Sequence, residues 1–326
     1  MRFITFIQNC RERVGVSIDG TVFACPVGVT LLDLLKKGRD ALSQAGNSAL
    51  KNPVGVFEES ALHVIAPIPN PPTVRDFMTF EQHVSGAIKL ADPGSGVPQR
   101  WYEAPIFYFT NPYAIHGPYD DVMIPQDETQ FDFELEIAAV VGRRGRDIPV
   151  DEAERYIAGY TIMNDWSARA IQFQEMSVRL GPSKGKDSAT TLGPWFVTPE
   201  ELEPFRAGGA FDLRMEAYVN DERIGSDSWA HMSFTYAQMV SYASRGTEVR
   251  PGDIIGSGTC GDGCLAELWG NQGYDAHRPL LPGDIVTLSV EGLGTQRSRI
   301  IENSGYIRDF EQYRSSSTLR KKLGPI

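Results

Sequence analysis

Two carboxylates, Glu134 and Glu136, lie two residues apart in a run that has the pattern of a β-strand. Side chains alternate between the two faces of a strand, so both carboxylates share one face, while Phe133, Leu135 and Ile137 share the other. The run then becomes wholly apolar, which predicts a strand that enters a core. Burying carboxylates is costly unless positive charge neutralises them, and a hard divalent cation is one such charge. The alternative is the solvent face of an antiparallel strand, which is favoured for an isolated pair.

Other polar side chains are predicted at the ends of apolar strands or in glycine-flanked loops: Asp76, Asp165, Lys186 and Glu267. All except the lysine are carboxylates, the ligands that Mg²⁺, Mn²⁺ and Ca²⁺ prefer. Spacing along the sequence does not establish that these side chains converge.

His83 follows Asp76 by seven residues, in a segment with helical periodicity over residues 74–84. Seven residues are two helical turns, so the two side chains are predicted on roughly the same face. Asp76 is alternatively an N-terminal cap of this helix. A single histidine on a helix is more commonly a surface or core residue than a catalytic one.

The elements that must position these residues follow a proline-rich segment, residues 66–72, which we interpret as a stiff linker and a domain boundary. Residues 1–67 are predicted to form a small N-terminal α/β domain. It contains a helix over residues 30–46 with a weak point at Gly38. Residues 68–326 are predicted to form the catalytic domain.

Many short strands and few helices are predicted after the linker. The strand at residues 160–163 delivers Asp165 at its end, and a capping box predicts a helix over residues 151–158. Residues 90–100 are predicted as a loop. Strand and helix do not alternate regularly, which predicts an α+β fold that is mostly β. The chain has no G-x-G-x-x-G, P-loop or G-x-S-x-G motif, so nucleotide binding and serine hydrolase chemistry have no support.

Net charge and cysteine content limit which binding partners and which cellular compartment are expected. The 326 residues carry a net charge of -11, which argues against nucleic acid or an anionic membrane as a partner. No segment has the pattern of a membrane span or a signal peptide. The four cysteines suit a reducing cytoplasm, the expected location. Cys260 and Cys264 lack a second pair at zinc-site spacing, so we interpret them as packing residues.

Taken together, the motifs resemble those of the fumarylacetoacetate hydrolase superfamily, of the bacterial type. They are Glu134-Leu135-Glu136, Asp165-Trp166-Ser167-Ala168-Arg169, Gly185-Lys186 with Thr190-Thr191 and Pro194-Trp195, and Gly258-Thr259 with Glu267-Leu268. They occur in the family's order and cover about residues 72–300. In this setting the carboxylate pair is interpreted as part of a metal site. The resemblance also implies a mixed β-sandwich roll of the fumarylacetoacetate hydrolase type for the catalytic domain, and a homodimer.

The resemblance implies a role for each candidate residue. A divalent cation, Mg²⁺ first with Mn²⁺ or Ca²⁺ as alternatives, would be bound by Asp76, Glu134, Glu136 and Asp165. His83 would take a proton from water, and Glu267 would orient and polarise the histidine. The groups that hold substrate oxygens or offset developing charge would be Lys186, Arg169, Gln172 and Thr259.

These roles imply hydrolysis of a C–C bond in an acylpyruvate-like or fumarylpyruvate-like 1,3-diketo acid, with the metal stabilising the enolate, in aromatic or related carbon catabolism. The first alternative is isomerisation, hydration or decarboxylation of a 2-hydroxy-dienoate or 2-oxo acid on the same metal site. The second is a scaffold that binds a small acid without catalysis. The sequence departs from family patterns at Met78 and Asn111, where tyrosine and lysine occur in some members, and residues 90–100 offer no clear match for a substrate-binding arginine.

Overall fold

The N-terminal part of the chain is an antiparallel sheet covered by two helices, in a computed structural model that describes residues 1–305. Its elements are β1 (Arg2–Gln8), β2 (Arg11–Ile18), β3 (Thr21–Ala24), α1 (Leu31–Lys37), α2 (Arg39–Lys51), β4 (Val56–Glu58), a 3₁₀ turn (Glu59–Ala61) and β5 (His63–Ile65). The single helix predicted over residues 30–46 is two helices, because Gly38 has φ +97°, a left-handed conformation that ends α1.

The next part carries the first candidate residues. Its elements are β6 (Val74–Phe77), α3 (Glu81–Ala91), α4 (Gln99–Glu103), β7 (Phe107–Thr110), β8 (Ile115–His116), β9 (Val122–Met123), β10 (Phe131–Asp132), β11 (Leu135–Val141) and β12 (Gly145–Arg146). The helix predicted over residues 74–84 is wrong, because β6 pairs with strands on both sides and a separate helix begins at Glu81. The loop predicted at residues 90–100 is shorter than expected, since α3 extends to Ala91 and α4 begins at Gln99.

The remaining described residues form many strands with a few short helices between them. The elements are α5 (Val150–Ala153), a 3₁₀ turn (Glu154–Tyr156), β13 (Ile157–Asp165), β14 (Ser167–Ala168), α6 (Arg169–Met176), β15 (Thr190–Leu192), β16 (Trp195–Val197), α7 (Pro199–Leu202), a 3₁₀ turn (Glu203–Phe205), β17 (Arg206–Ala207), β18 (Ala210–Phe211), β19 (Arg214–Val219), β20 (Glu222–Ser228), a 3₁₀ turn (Trp229–His231), α8 (Tyr236–Ala243), β21 (Glu248–Val249), β22 (Ile254–Gly256), α9 (Leu265–Gln272), β23 (Ile285–Val290) and β24 (Gly294–Ile301). The helix predicted over residues 151–158 is wrong in extent and capping, because α5 follows Pro149 without a side-chain cap. The α+β, mostly β prediction is confirmed.

One large mixed sheet crosses the predicted domain boundary. Its main path within the described residues is β4-β3-β2-β1-β16-β13-β11-β22-β6-β7, and a second sheet has the order β20-β19-β23-β24-β9. β1 joins the two parts of the chain, since Phe3 pairs with Phe196. Ile68 is buried in the same hydrophobic cluster as Phe3. The division into a domain of residues 1–67 and a domain of residues 68–326 therefore remains a proposal. Residues 306–326 of the second domain lie outside the described residues.

β11 lies in the middle of this sheet and is buried along its whole length. Residues at odd positions, such as Ile137 and Ala139, belong to the largest hydrophobic cluster. Ala138 and Val140 belong to a second cluster on the opposite face, which includes residues of α1. Glu136 lies on the same side as Ala138 by strand alternation, so its carboxylate is placed at the edge of a core rather than in water. The solvent-face alternative for the carboxylate pair is wrong, because Glu136 is 0% exposed.

Candidate active site and metal centre

Four carboxylates meet where neighbouring strands of the main sheet end. Asp76 lies on β6, Glu134 directly precedes β11, Glu136 lies on β11 and Asp165 ends β13. We call these four residues the acidic cluster; all four are buried. Oxygen atoms of Asp76, Glu134 and Glu136 lie within 4.8 Å of one another. The order β13-β11-β22-β6 explains the convergence, because it brings together strands that are distant in sequence.

Tyr108 of β7 links Asp165 to the rest of the acidic cluster. Its hydroxyl donates to Asp76 Oδ2 at 2.9 Å and also contacts Asp165 Oδ2. Burial, followed by the charge of Asp165, raises the pKa of Tyr108 well above its usual value, so this group stays protonated and able to donate. Sequence reasoning missed Tyr108, which stands in an aromatic strand with nothing to distinguish it from its neighbours.

The carboxyl groups of the acidic cluster have strongly different pKa values. Burial, followed by the charge of Asp165, raises the pKa of Asp76 to about 7. Burial and the charge of Asp76 raise the pKa of Glu136 well above its usual value, and burial raises the pKa of Asp165. Burial also acts to raise the pKa of Glu134, but the charge of Lys186 and a second cation outweigh it and lower the pKa to about 2. The cluster thus holds more carboxyl groups than its neighbouring cations neutralise.

The residues present fit a hard divalent cation. Glu136 Oε1 and Asp165 Oδ1 are buried and have no hydrogen-bond partner within residues 1–305. The N–H of Gly258 donates to Asp76 Oδ1 at 3.3 Å and to Glu136 Oε2 at 3.2 Å. A Cβ at Gly256 would lie 2.5 Å from Asp76 Oδ1, so a larger residue has no room there. Unpartnered carboxylate oxygens gathered around small residues are the donor set that Mg²⁺, Mn²⁺ or Ca²⁺ requires.

Two buried cations contact the acidic cluster. Lys186 Nζ donates to Glu134 Oε2 at 2.5 Å and to Asp165 Oδ2 at 2.9 Å. Arg169, at the start of α6, donates from a terminal nitrogen to Glu134 Oε1 at 2.7 Å. Burial opposes the charged form of Lys186, but Asp165 and Glu134 outweigh it and raise the pKa of this lysine. Both side chains therefore carry positive charge beside the cluster.

Asp132 is a buried carboxylate with several hydrogen-bond partners, and it is not among the residues that the sequence predicted for the site. Its Oδ2 accepts from Arg169 Nε at 2.9 Å and from a terminal nitrogen of the same guanidinium at 2.7 Å. The two carboxylate oxygens also accept from the backbone N–H groups of Phe133, Leu265 and Ala266. Asp132 therefore joins Arg169 to the first turn of α9. No pattern in the sequence indicates this network, because it joins residues that are far apart in the chain.

His83 and Glu267 lie on two helices, α3 and α9, that pack against each other. His83 Nδ1 is 3.5 Å from Glu267 Oε2. The same nitrogen is 3.6 Å from the Sγ of Cys264, the residue that caps α9. The backbone N–H of Asp262 donates to Glu267 Oε2 at 2.9 Å and fixes this carboxylate. Cys264, interpreted from sequence as a packing residue, thus also contacts the candidate base.

Two glycines set how closely α3 and α9 approach. A Cβ at Gly86 would overlap with the Cγ of Glu267, and a Cβ at Gly270 would overlap with the backbone oxygen of Gly86. The helices are therefore in contact through backbone atoms at this crossing. This contact holds His83 beside Glu267.

Most of the candidate residues line one cavity of about 680 Å³, whereas Asp165 and Glu267 are not among its lining residues. Among the predicted substrate-binding residues, Thr259 and Gln172 both line it, and Gln172 Oε1 accepts from Arg169 at 3.2 Å. Met78, one of the departures from family patterns, also lines the cavity. Asn111 instead donates to the backbone oxygen of Asp187 at 3.4 Å.

The fold is shared with the solved structure of a maleylpyruvate hydrolase. A maleylpyruvate hydrolase from Sphingobium sp. SYK-6, solved in complex with manganese (II) ion and pyruvate, matches 93% of this chain and 100% of its own with a TM-score of 0.70. Its sequence is 19% identical, so this likeness establishes the fold alone. Within residues 1–305, no helix is both long enough and apolar enough to cross a membrane.

A family model described as fumarylacetoacetate (FAA) hydrolase C-terminal matches residues 73–301. The chain therefore belongs to the fumarylacetoacetate hydrolase family, whose members are hydrolases or related enzymes that use divalent metals.

Two curated relatives show the range of reactions among similar proteins. A 2,4-didehydro-3-deoxy-L-rhamnonate hydrolase from Sphingomonas sp. (strain SKA58) is 34% identical over 201 residues, 61% of this chain and 65% of the relative. The aligned region thus spans slightly less than two thirds of that protein. A mitochondrial oxaloacetate tautomerase from Bos taurus is 28% identical over 246 residues, 75% of this chain and 73% of the relative.

Proposed function

We propose that this chain is a metal-dependent hydrolase that cleaves a C–C bond in an acylpyruvate-like or fumarylpyruvate-like 1,3-diketo acid. The observation that carries the proposal is that His83, backed by Glu267, lines the same cavity as three of the four carboxylates of the acidic cluster, Asp76, Glu134 and Glu136. A base for water and a cation site for a 2-oxo acid are the two parts that this reaction needs.

The acidic cluster would hold the cation, with Mg²⁺ as our first choice and Mn²⁺ or Ca²⁺ as alternatives. When bound, the cation supplies positive charge and a template for the two oxygens at the 2-oxo acid end of the substrate. Thr259, Gln172 and Arg169 line the cavity near this end and supply hydrogen-bonding groups for substrate oxygens.

His83 is the base that activates water. Its Nδ1 faces Glu267 and Cys264, so Nε2 is the nitrogen available to water. Nε2 takes a proton from water, and the water oxygen bonds to the distal carbonyl carbon. Glu267 stabilises the imidazolium that forms, which makes this proton transfer easier.

Cleavage follows from the tetrahedral oxyanion. Lys186 and Arg169 offset its negative charge. The C–C bond then breaks, its electron pair leaves with the 2-oxo acid fragment as an enolate, and the protonated His83 returns its proton to the carbanion carbon. One water and one acylpyruvate give one carboxylic acid and one pyruvate.

The first alternative is isomerisation, tautomerisation, hydration or decarboxylation on the same centre. Similarity to the bovine oxaloacetate tautomerase favours this candidate. A tautomerase needs only proton transfer to and from carbon, which His83 can perform without attack by water. We further propose a cytoplasmic homodimer with a role in aromatic or related carbon catabolism.

Product analysis tests the proposal. The metal-loaded protein is mixed with a panel of acylpyruvates, oxaloacetate and 2-hydroxy-dienoates, in Mg²⁺, Mn²⁺ or EDTA, and products are followed by mass. We expect two organic fragments from acylpyruvates with metal and none with EDTA. Carbon dioxide release identifies decarboxylation, and a product of unchanged mass identifies isomerisation; either one without fragments contradicts hydrolysis.

We expect metal to stabilise the protein more at about pH 8 than at about pH 5. The raised pKa of Asp76, about 7, means that the metal-free folded state keeps a proton that the unfolded chain releases above about pH 4. Stability without metal therefore falls as pH rises through this range, whereas cation binding strengthens because its ligands lose protons. Thermal unfolding with Mg²⁺ or EDTA at both values measures the difference.

The matched variant for this experiment is Glu136→Gln, which removes one charge and keeps the shape. It should reduce both the pH dependence of the thermal stability without metal and the stabilisation of the protein by Mg²⁺. An equal Mg²⁺ effect at both pH values in the wild type would count against a carboxylate-bound cation.

A further inference from the structure

The cavity has two chemically different ends. One end is lined by charged and titratable residues: Asp76, Glu134, Glu136, Lys186, Arg169 and His83. The other is formed by α3, α6 and the segment that leads into β7, and its lining residues are apolar: Val84, Ile88, Ile106, Phe107, Phe173 and Met176. A volume of about 680 Å³ falls in the range of sites that enclose whole small molecules, so the apolar end has room for a sizeable group.

Among the residues that the structure describes, positive charge in the cavity is confined to its polar end. Among described residues, the only lysine and arginine that line the cavity are Lys186 and Arg169. Lys186 already binds Glu134 and Asp165, and Arg169 already binds Asp132 and Glu134.

The predicted loop at residues 90–100 supplies no cation to the cavity either. Arg100 is paired with Glu103 at 2.9 Å, its side chain is 60% exposed, and it does not line the cavity. A carboxylate at the apolar end would therefore gain no charged partner, whereas an alkyl or aryl group there would cover apolar surface.

We propose that the acyl group of the substrate is uncharged and apolar, an alkanoyl or aroyl group that fills the space between α3, β7 and α6. This inference rests on the proposed function, since it takes the 2-oxo acid end to lie at the acidic cluster. It narrows that function by disfavouring dicarboxylate substrates such as fumarylpyruvate. Binding strength should rise roughly fourfold for each methylene buried, until the cavity is filled.

A pair of isosteric substrates tests the proposal. In 4-methylpentanoylpyruvate an isopropyl group replaces the distal carboxylate of succinylpyruvate, so shape is kept and charge is removed. We expect kcat/KM for the isopropyl compound to exceed that for succinylpyruvate at least about 100-fold, and to exceed that for acetylpyruvate as well. Equal or better cleavage of succinylpyruvate would overturn the proposal.

A binding experiment with 2-oxo acids that are not cleaved tests this inference independently of the proposed hydrolysis. Calorimetry on the Mg²⁺-loaded protein compares 2-oxo-6-methylheptanoate with 2-oxoadipate, which differ in the same way. If no acylpyruvate is cleaved, the proposed function fails, yet tighter binding of the apolar acid still supports an apolar-group site. Tighter binding of 2-oxoadipate, or binding of neither acid, overturns the inference whatever the reaction.

Charge added at the apolar end should change the preference. Ile88→Arg places a cation on the cavity side of α3, and Ile88→Gln is the uncharged control of similar length. We expect the arginine variant to raise kcat/KM for succinylpyruvate relative to its isostere at least about 10-fold over the glutamine variant. Met176→Arg and Met176→Gln repeat the comparison at a half-exposed position that tolerates substitution, and an unchanged ratio in both pairs contradicts the proposal.

Discussion

His83→Ala is expected to lower kcat about 10²–10⁴-fold on every substrate that the wild type hydrolyses, the usual contribution of a positioned base. The imidazole is 5% exposed, and its Nδ1 contacts Glu267 and Cys264. No other described side chain holds a base at this position. Affinity for Mg²⁺ should fall much less than kcat, because the acidic cluster keeps its four carboxylates, although a ring nitrogen of His83 lies within 4.8 Å of a Glu134 oxygen. Steady-state kinetics with calorimetric Mg²⁺ titration measures both quantities.

His63→Ala is the matched control, since His63 is exposed on β5, and it should leave kcat unchanged. Glu267→Gln tests the positioning role. It should lower kcat less than His83→Ala and shift the pH profile of kcat, which loss of packing alone would not do. Wild-type kcat in the His83→Ala protein would eliminate the mechanism.

Asp132→Ala is expected to cost about 3–5 kcal/mol of the free energy of unfolding, because it leaves the buried Arg169 without its main partner. It also leaves unsatisfied the backbone N–H groups at the start of α9 that the carboxylate accepts. Urea denaturation measures the loss. Activity should fall as well, since α9 carries Glu267 and Arg169 contacts Glu134.

Asp151→Ala is the control for this change, because Asp151 is an exposed aspartate on α5 and its loss should be nearly neutral. Asp132→Ala combined with Arg169→Met should cost less than the sum of the single changes, since no charge is then left unpaired. Additive costs would show that Asp132 and Arg169 do not act as a pair.

Periodicity and motif order were sufficient to predict the two strands at the centre of the fold. The alternation around Glu134 and Glu136, followed by apolar residues, predicted a strand that becomes buried, and β11 is that strand. The strand predicted to deliver Asp165 is β13, although it is longer than expected. These features are local, because side-chain alternation within one strand decides them.

Features that depend on distant partners could not be predicted. Residues 74–77 have helical spacing, but they form β6 because Asp76 and its neighbours pair with β22, which is far away in the chain. The contacts of Cys264 with His83 and of Asp132 with α9 join residues separated by 181 and more than 130 positions. No local pattern encodes such contacts, so topology decides them.

The backbone contact between Gly86 and Gly270 bears on how such proteins diverge. The strands hold the carboxylates, whereas this helix crossing holds His83 beside Glu267. A methyl group added at Gly86 would displace the Glu267 side chain, and one added at Gly270 would push the two helices apart, while neither glycine lies on a strand. One substitution could thus yield a descendant that still captures a 2-oxo acid but no longer adds water to it, so hydrolases and non-hydrolytic relatives can lie a single mutational step apart.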